Sequence, residues 1–333
     1  MNHTLDAFLN SVLVLLATIP SIALGQSDAL PGKGTWTEGA LRVGNVDRCF
    51  LIYYPTGLKQ GAPTVLLLHG GTQSMHKLFS PRAGGTRAWP GLADREGFLL
   101  IVPNGTNAKN GDPRGNEQNW NDLRPPDERQ TEADDVRFLL QLLDHAAARH
   151  RTDSQRVYVT GASNGGMMTF RLLIEAPERF AAAAAFIAVL PADLTRVSPP
   201  RLATPLLIAN GTKDPLVKWD GGVVRGQRTP MLPVEANRDW WVRTNGAGPA
   251  KAQETLPDND PKDGCRLYRT VYPPVRPNGA PVEFLRMEGA GHALPSRSHD
   301  LPDSFLVRRL IGQPCRDAEG AELAWAFMSV FRR

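Results

Sequence analysis

Ser163 lies in Gly161-Ala162-Ser163-Asn164-Gly165, between the apolar run Val157-Tyr158-Val159 and the helix-patterned stretch Met167-Met168-Thr169-Phe170-Arg171-Leu172-Leu173. A G-x-S-x-G run between a strand and a helix is the pattern of a nucleophile elbow. The abrupt turn forces the serine into a strained, exposed conformation, and side chains two residues away on either side would collide. It also places the serine at a helix N-terminus, where unpaired N–H groups and the helix dipole favour an oxyanion. A serine hydroxyl is a weak nucleophile near neutral pH and needs a base. The base needs a carboxylate that holds its tautomer and stabilises the imidazolium. Two histidines follow Ser163, His292 and His299. His292 comes directly after an apolar run and Gly289-Ala290-Gly291, which permit a tight bend, whereas His299 lies in a polar connection, so His292 is preferred as the base. Asp214 follows the apolar run Pro205-Leu206-Leu207-Ile208-Ala209 after a short glycine-containing turn and is the preferred acid. Asp193, after Leu190-Pro191-Ala192, is the second candidate.

Each of the three groups stands just beyond an expected strand, in the order Ser, Asp, His that belongs to the α/β-hydrolase arrangement. The oxyanion then needs backbone donors. Asn164 N–H supplies one at the start of the helix. The other is expected from Gly71 or Thr72, in the small-residue loop His69-Gly70-Gly71-Thr72 that follows Val65-Leu66-Leu67-Leu68. Such a set performs acyl transfer through a covalent acyl-enzyme and calls for no metal or organic cofactor.

The remaining chain must supply the strands. Continuous apolar runs at 65–68, 98–102, 157–160, 186–190 and 205–209 indicate a mostly parallel central sheet buried on both faces. Short strands around Leu41-Arg42-Val43 and 49–54, with a turn between them, indicate an antiparallel N-terminal edge hairpin. The expected fold class is α/β, with helices flanking the sheet. Helices are expected at 89–96, 131–149, 163–175, 235–245 and 318–331. In the second, Thr131 is the expected cap, with Asp134 three residues later. The last strands are expected at 265–272 and 282–287, and 293–314 is read as a long connection. Residues 106–129 form a long polar loop with one aromatic anchor, Trp120, which either walls a binding cleft or pins the loop to the body. Trp219, just after Asp214, either stacks on an aromatic acyl group or covers the edge of the core.

The sequence has 333 residues and a formal net charge of +4, with 38 Lys and Arg against 34 Asp and Glu. That balance, without a basic stripe or nucleic-acid motif, does not point to a nucleic-acid binder, and none is expected as a partner. Residues 8–19 are apolar and lead to Ser21-Ile22-Ala23-Leu24-Gly25, the pattern of a secretory signal peptide cut after Ala23 or Gly25. The expected organisation is a signal peptide at 1–25, a linker at 26–38 and one catalytic domain at 39–333. The expected location is secreted or periplasmic, with no stable membrane span once the signal is removed. Export permits a disulfide among the three cysteines,. Pairing Cys265 with Cys315 would tie down the loop that carries His292, and Cys49 with Cys315 is the alternative.

Leu68-His69-Gly70-Gly71-Thr72-Gln73, the run from Gly161 to Met168, Asn210-Gly211-Thr212-Lys213-Asp214-Pro215-Leu216-Val217 and Gly289-Ala290-Gly291-His292 together resemble the polyhydroxybutyrate depolymerase and feruloyl esterase family. The segments 134–138 and 156–160 are similar to it as well, and the resemblance spans about residues 45–330. It implies an exported α/β-hydrolase with Ser163, Asp214 and His292 as its triad. The implied substrate is either a polyester of 3-hydroxy acids or a hydroxycinnamate esterified to plant polysaccharide. The sequence departs from that family at Ala293-Leu294-Pro295, where relatives carry Trp-Pro after the histidine, and at Asn245-Gly246-Ala247, where relatives carry a cysteine. The leading expectation is a serine carboxylesterase acting on a small or polymeric ester. A polyester depolymerase, a serine peptidase of the same fold and a non-catalytic binding protein are the alternatives.

Overall fold

The structure is a computed structural model that describes residues 30–125, 131–194, 197–224, 228–299, 301 and 305–333. The expected signal segment at 1–25 lies outside the described residues. The chain opens with β1 (Thr35–Val43) and β2 (Val46–Tyr54), an antiparallel pair in register from Thr35–Tyr54 to Val43–Val46. Gly44 and Asn45 alone connect them, and Gly44 supplies the positive φ of 58° that the tight turn needs,. The first strand begins inside the stretch read as a linker, because residues 35–38 pair with 51–54.

Then follow β3 (Thr64–Leu68), α1 (Ala88–Glu96), β4 (Leu99–Pro103), α2 (Asp135–His150), β5 (Val157–Ala162) and α3 (Asn164–Glu175). Next come β6 (Ala182–Phe186), β7 (Leu206–Gly211), the short pair β8 (Gly222–Val223) and β9 (Pro230–Met231), and α4 (Val234–Thr244). The chain closes with β10 (Glu254–Thr255), β11 (Arg266–Tyr272), β12 (Val282–Glu288), α5 (Phe305–Ile311) and α6 (Gly320–Met328). Ten strands form one sheet in the order β1-β2-β4-β3-β5-β6-β7-β12-β11-β10. The pairs from β4 through β12 are parallel, and both flanks are antiparallel.

The continuous apolar runs have a direct cause. Every residue of β3 is buried, with Leu66 and Leu68 in one core beside Phe138 and Trp241, and Val65 and Leu67 in the other beside Trp89 and Met328. Alternate side chains leave opposite faces of a strand, so two covered faces leave no polar position. Helices α2, α3 and α4 contribute to the first core, and α1 and α6 to the second.

Elements β6, α2 and α5 also differ from the sequence reading. The strand expected at 186–190 is β6 at 182–186, because the chain leaves the sheet at Ile187, whose φ is 47°. Four alanines precede Phe186 there, a poor strand signal, but small side chains let flanking helices come close: a Cβ on Gly166 of α3 would lie 3.0 Å from Phe186 O. Helix α2 starts at Asp135 rather than after Thr131. Its cap is Asp134, whose carboxylate accepts from Arg137 N–H, while Thr131 Oγ1 bonds Thr106 Oγ1 and Ala133 N–H. Helix α5 lies within the stretch read as a connection.

Candidate active site

The parallel strands all deliver their loops to the same edge of the sheet, and the three sequence-predicted groups leave from β5, β7 and β12. Ser163 has φ 56° and ψ −123°, a strained conformation for a residue with a side chain, and its N–H donates to Phe186 O at 2.9 Å,. The glycines around it are required by contact. A Cβ on Gly165 would lie 2.4 Å from Leu68 O and 2.5 Å from His69 O, and one on Gly161 would lie 2.5 Å from the Gly165 carbonyl carbon. Helix α3 therefore presses its first turn directly onto the end of β3. Asn164 is the first residue of that helix, so its N–H is one of the orphan donors of the helix N-terminus,.

Strands β7 and β12 are parallel neighbours paired from Leu206–Val282 to Gly211–Met287, which brings Asp214 and His292 together. Asp214 Oδ2 is 2.6 Å from His292 Nδ1. Asp214 Oδ1 accepts from Leu216 N–H and Val217 N–H, each at 2.8 Å. The carboxylate is wholly buried, and the imidazole keeps only 9% of its side chain exposed. An acceptor oxygen facing Nδ1 places the proton there in the neutral ring and leaves Nε2 with its lone pair, the state that accepts a proton. His299 hydrogen-bonds Ser298 Oγ through Nδ1.

The His292 backbone rests on residues 311–315. His292 N–H donates to Ile311 O at 2.5 Å, Gly291 N–H to Gln313 O at 2.8 Å, and Ser296 N–H to Cys315 O at 2.9 Å. Cys315 forms a disulfide with Cys265, the residue before β11. The bridge thus fastens the backrest of the histidine loop to the sheet, and Cys49 is a free, buried thiol on β2.

The loop after β3 packs beside the elbow. A Cβ on Gly70 would lie 3.7 Å from Ser163 Cβ, and one on Gly71 would lie 3.5 Å from Asn164 Cβ. Thr72 has a positive φ of 58°, and its N–H donates to Asn119 Oδ1 at 3.3 Å. His69, which the sequence reading placed in the small-residue loop, is fully buried. Its Nδ1–H donates to Gly70 O at 2.8 Å, and Nε2 accepts from Gly105 N–H at 2.9 Å. Burial pushes its pKa down to about 4, against the raising effect of the Gly70 bond.

A base whose folded-state pKa lies below its unfolded value loses stability as pH falls from the unfolded to the folded pKa, because only the unfolded chain takes the proton. The window here runs from about 6.5 to about 4. It corresponds to roughly 3 kcal/mol of lost stability. Urea unfolding at pH 7 and pH 4 should show a drop in wild type that is smaller by that amount in His69→Asn. Equal drops in both proteins would show that His69 is not the neutral group described.

Of the two roles open to Trp120, its burial fits the loop anchor. Its ring is 0% exposed, lies 4.6 Å from the His69 ring and donates its indole N–H to His69 O at 2.9 Å. A buried ring has no surface to offer a substrate, so Trp120 pins the long loop rather than walling a cleft. Trp219 is partly buried and packs 6.0 Å from Phe284 of β12, the contact of a core-edge residue. Two buried ion pairs escaped the sequence reading. Arg48 Nη2 meets Asp135 Oδ1 at 2.5 Å, and Asp135 Oδ2 accepts from Asn121 N–H at 2.7 Å. Burial raises the Asp135 pKa while Arg48 opposes the rise. Arg124 Nη2 meets Asp122 Oδ2, also at 2.5 Å.

Comparison with known proteins follows this geometry. A model of the prolyl oligopeptidase family matches residues 95–198, the part that contains β4, β5, the elbow and α3. The solved structure of native sOPH superposes over 87% of this chain and 91% of its own, with a TM-score of 0.52 and 17% identity. The chain has the α/β-hydrolase fold. Relatives named as esterases, feruloyl esterases and a poly(3-hydroxyalkanoate) depolymerase match it in sequence, which bears out the family resemblance read from the motifs. NocK of Nocardia uniformis subsp. tsuyamanensis, which carries the name of an esterase, is 28% identical over 248 residues, 72% of this chain and 67% of its own. Feruloyl esterase B of Piromyces equi is 28% identical over 168 residues, 49% of this chain and 30% of its own. The chain thus spans two thirds of the first relative and under one third of the second. The relatives that match it carry the names of carboxylic ester hydrolases. Among the described residues, no helix is long and apolar enough to cross a membrane.

Proposed function

We propose that this α/β-hydrolase is an exported serine carboxylesterase that works through an acyl-enzyme, with hydroxycinnamoyl esters as its preferred substrate class. Ser163 Oγ attacks the ester carbonyl and His292 Nε2 accepts its proton. Asp214 holds Nδ1–H and steadies the imidazolium. The oxyanion forms between Asn164 N–H and Gly71 N–H. Gly71 is favoured over Thr72 because Thr72 N–H already donates to Asn119. His292 then protonates the leaving alcohol, and water repeats the sequence on the acyl-enzyme. The observation that carries the acyl-enzyme reading is the 2.6 Å contact between His292 Nδ1 and a buried Asp214 carboxylate whose other oxygen is bound by two backbone N–H groups, and the acyl preference rests on the relatives named feruloyl esterase. The export assignment rests on the apolar N-terminal segment and is supported by the disulfide.

The matched prolyl oligopeptidase family gives specific weight to a second reading, peptide hydrolysis by the same triad. The depolymerase relative does the same for polyester. The test is a panel of methyl ferulate, p-nitrophenyl acetate, 3-hydroxybutyrate oligomers and short peptides, combined with a fluorophosphonate that labels activated serines. We expect labelling at Ser163 and a higher kcat/KM for methyl ferulate than for the oligomers or peptides. Faster peptide cleavage than ester cleavage would replace the first reading with the second, and oligomer preference would replace the acyl assignment. Folded protein that the probe leaves unlabelled would overturn the enzyme itself.

A further inference from the structure

The two oxyanion donors of the proposed mechanism sit on separate loops, one after β3 and one after β5. Their spacing must be held by something, and the segment 118–122 lies between them. On one side it is tied to the loop after β3. Gln118 N–H donates to Gln73 O at 2.8 Å, Asn119 Oδ1 accepts from Thr72 N–H at 3.3 Å, and the Trp120 indole N–H reaches His69 O at 2.9 Å. On the other side Arg171 Nη1 of α3 donates to Asn121 O at 2.5 Å, and the tie to the elbow itself is the Asn164 side chain. Asn164 Oδ1 accepts from Trp120 N–H at 2.7 Å, and Asn164 Nδ2 donates to Trp120 O at 3.1 Å and to Asp122 Oδ2 at 2.7 Å. These partners fix which end of the amide is oxygen, since one site offers only a donor and the other two only acceptors. Asp122 is itself held by the buried Arg124, whose Nε lies 2.9 and 3.0 Å from the two carboxylate oxygens.

We infer that the Asn164 side chain is a positioning group for the oxyanion hole, resting on the proposed role of Ser163 as nucleophile. Its backbone N–H is one donor, and its buried amide bolts the 118–122 strap that sets where the other donor stands. One residue thereby fixes both halves of the hole. A donor displaced by a fraction of an ångström from the developing charge loses most of its effect on the transition state while binding the planar ester almost as before.

Asn164→Ala keeps the backbone N–H and removes the bolt. The expected result is a fall in kcat for p-nitrophenyl acetate of about 100-fold with KM changed by less than about threefold. A boronic acid, whose boron takes the serine oxygen and becomes tetrahedral, should lose affinity by the same factor. Asn119→Ala, which releases only the Thr72 end of the strap, should lower kcat by about tenfold, and the double variant should be no worse than Asn164→Ala alone within about threefold. Fluorophosphonate labelling of wild type is run first, because no labelling at Ser163 removes the nucleophile assignment itself. With labelling present, the positioning role is overturned by a kcat for Asn164→Ala within threefold of wild type. It is equally overturned by a kcat loss without a matching loss of boronate affinity, or by fully additive losses in the double variant. If Asn164→Ala does not fold, Asn119→Ala decides: a tenfold kcat loss at unchanged KM and unchanged melting temperature supports the strap, and wild-type kcat sinks it.

Discussion

Ser163→Ala should lower kcat for ester hydrolysis by about 10^6-fold, the order expected when a nucleophile that acts as one unit with its base is removed. The fold should not change with it. The side chain is lost from a surface elbow whose backbone is set by Ser163 N–H on Phe186 O and by the glycine contacts of α3 on β3. Alanine at φ 56° is strained to the same degree as serine, so the melting temperature of Ser163→Ala should match that of wild type. Glycine relieves that strain, and Ser163→Gly should gain stability on the order of 1 kcal/mol while remaining equally inactive. The pair separates chemistry from conformation: both variants lose turnover, and only one gains stability. Residual hydrolysis above the uncatalysed rate is expected in both, because the oxyanion donors remain. The measurement is single-turnover release of p-nitrophenol, with thermal unfolding followed by circular dichroism. Turnover by Ser163→Ala within tenfold of wild type would remove Ser163 from the mechanism.

Much of this site can be read from the sequence because each of its groups is fixed locally. A nucleophile elbow needs glycines at set offsets, and Gly161 and Gly165 stand within contact of backbone where any side chain would collide. Asp214 and His292 are legible for a different reason: each follows an apolar run, and buried parallel strands are such runs. What the sequence cannot show is how distant loops meet. The polar stretch before α2 reads as featureless, yet Asn119, Trp120 and Asp122 in it are bound by Thr72, His69 and Asn164. No periodicity records those contacts. An aromatic residue in a polar loop fits a cleft wall or a core anchor equally well, and only the tertiary position of Trp120 decides for the anchor. The cysteine pairing is similar. Spacing leaves Cys49 and Cys265 both open as partners for Cys315, and the placement of residues 311–315 beside His292, near the start of β11, selects Cys265. The alanine strand β6 fails on propensity and succeeds on packing, because helices on both faces favour small side chains over β-branched ones.

Asp214→Asn should reduce kcat by about 10^4-fold, equivalent to about 5.5 kcal/mol of transition-state stabilisation, with little change in KM. The size of the effect comes from orientation rather than from charge alone. In wild type Asp214 Oδ1 accepts two backbone N–H groups, from Leu216 and Val217. An asparagine at this position can satisfy those donors only by placing its carbonyl oxygen there, since its NH2 group offers no acceptor. The NH2 group is thereby turned toward His292 Nδ1, 2.6 Å away in the wild-type pair. A donor facing Nδ1 selects the opposite ring tautomer, with the proton on Nε2, and that nitrogen then has no lone pair to take the serine proton. The variant keeps its shape, its burial and its two backbone hydrogen bonds, yet its base is switched off. Asp193→Asn provides the comparison, because His292 Nδ1 is already bonded to Asp214. That change should leave kcat within a few fold of wild type. A tenfold or smaller loss in Asp214→Asn, or a larger loss in Asp193→Asn, would mean that the carboxylate which orients His292 during turnover is not the one that faces it in the structure.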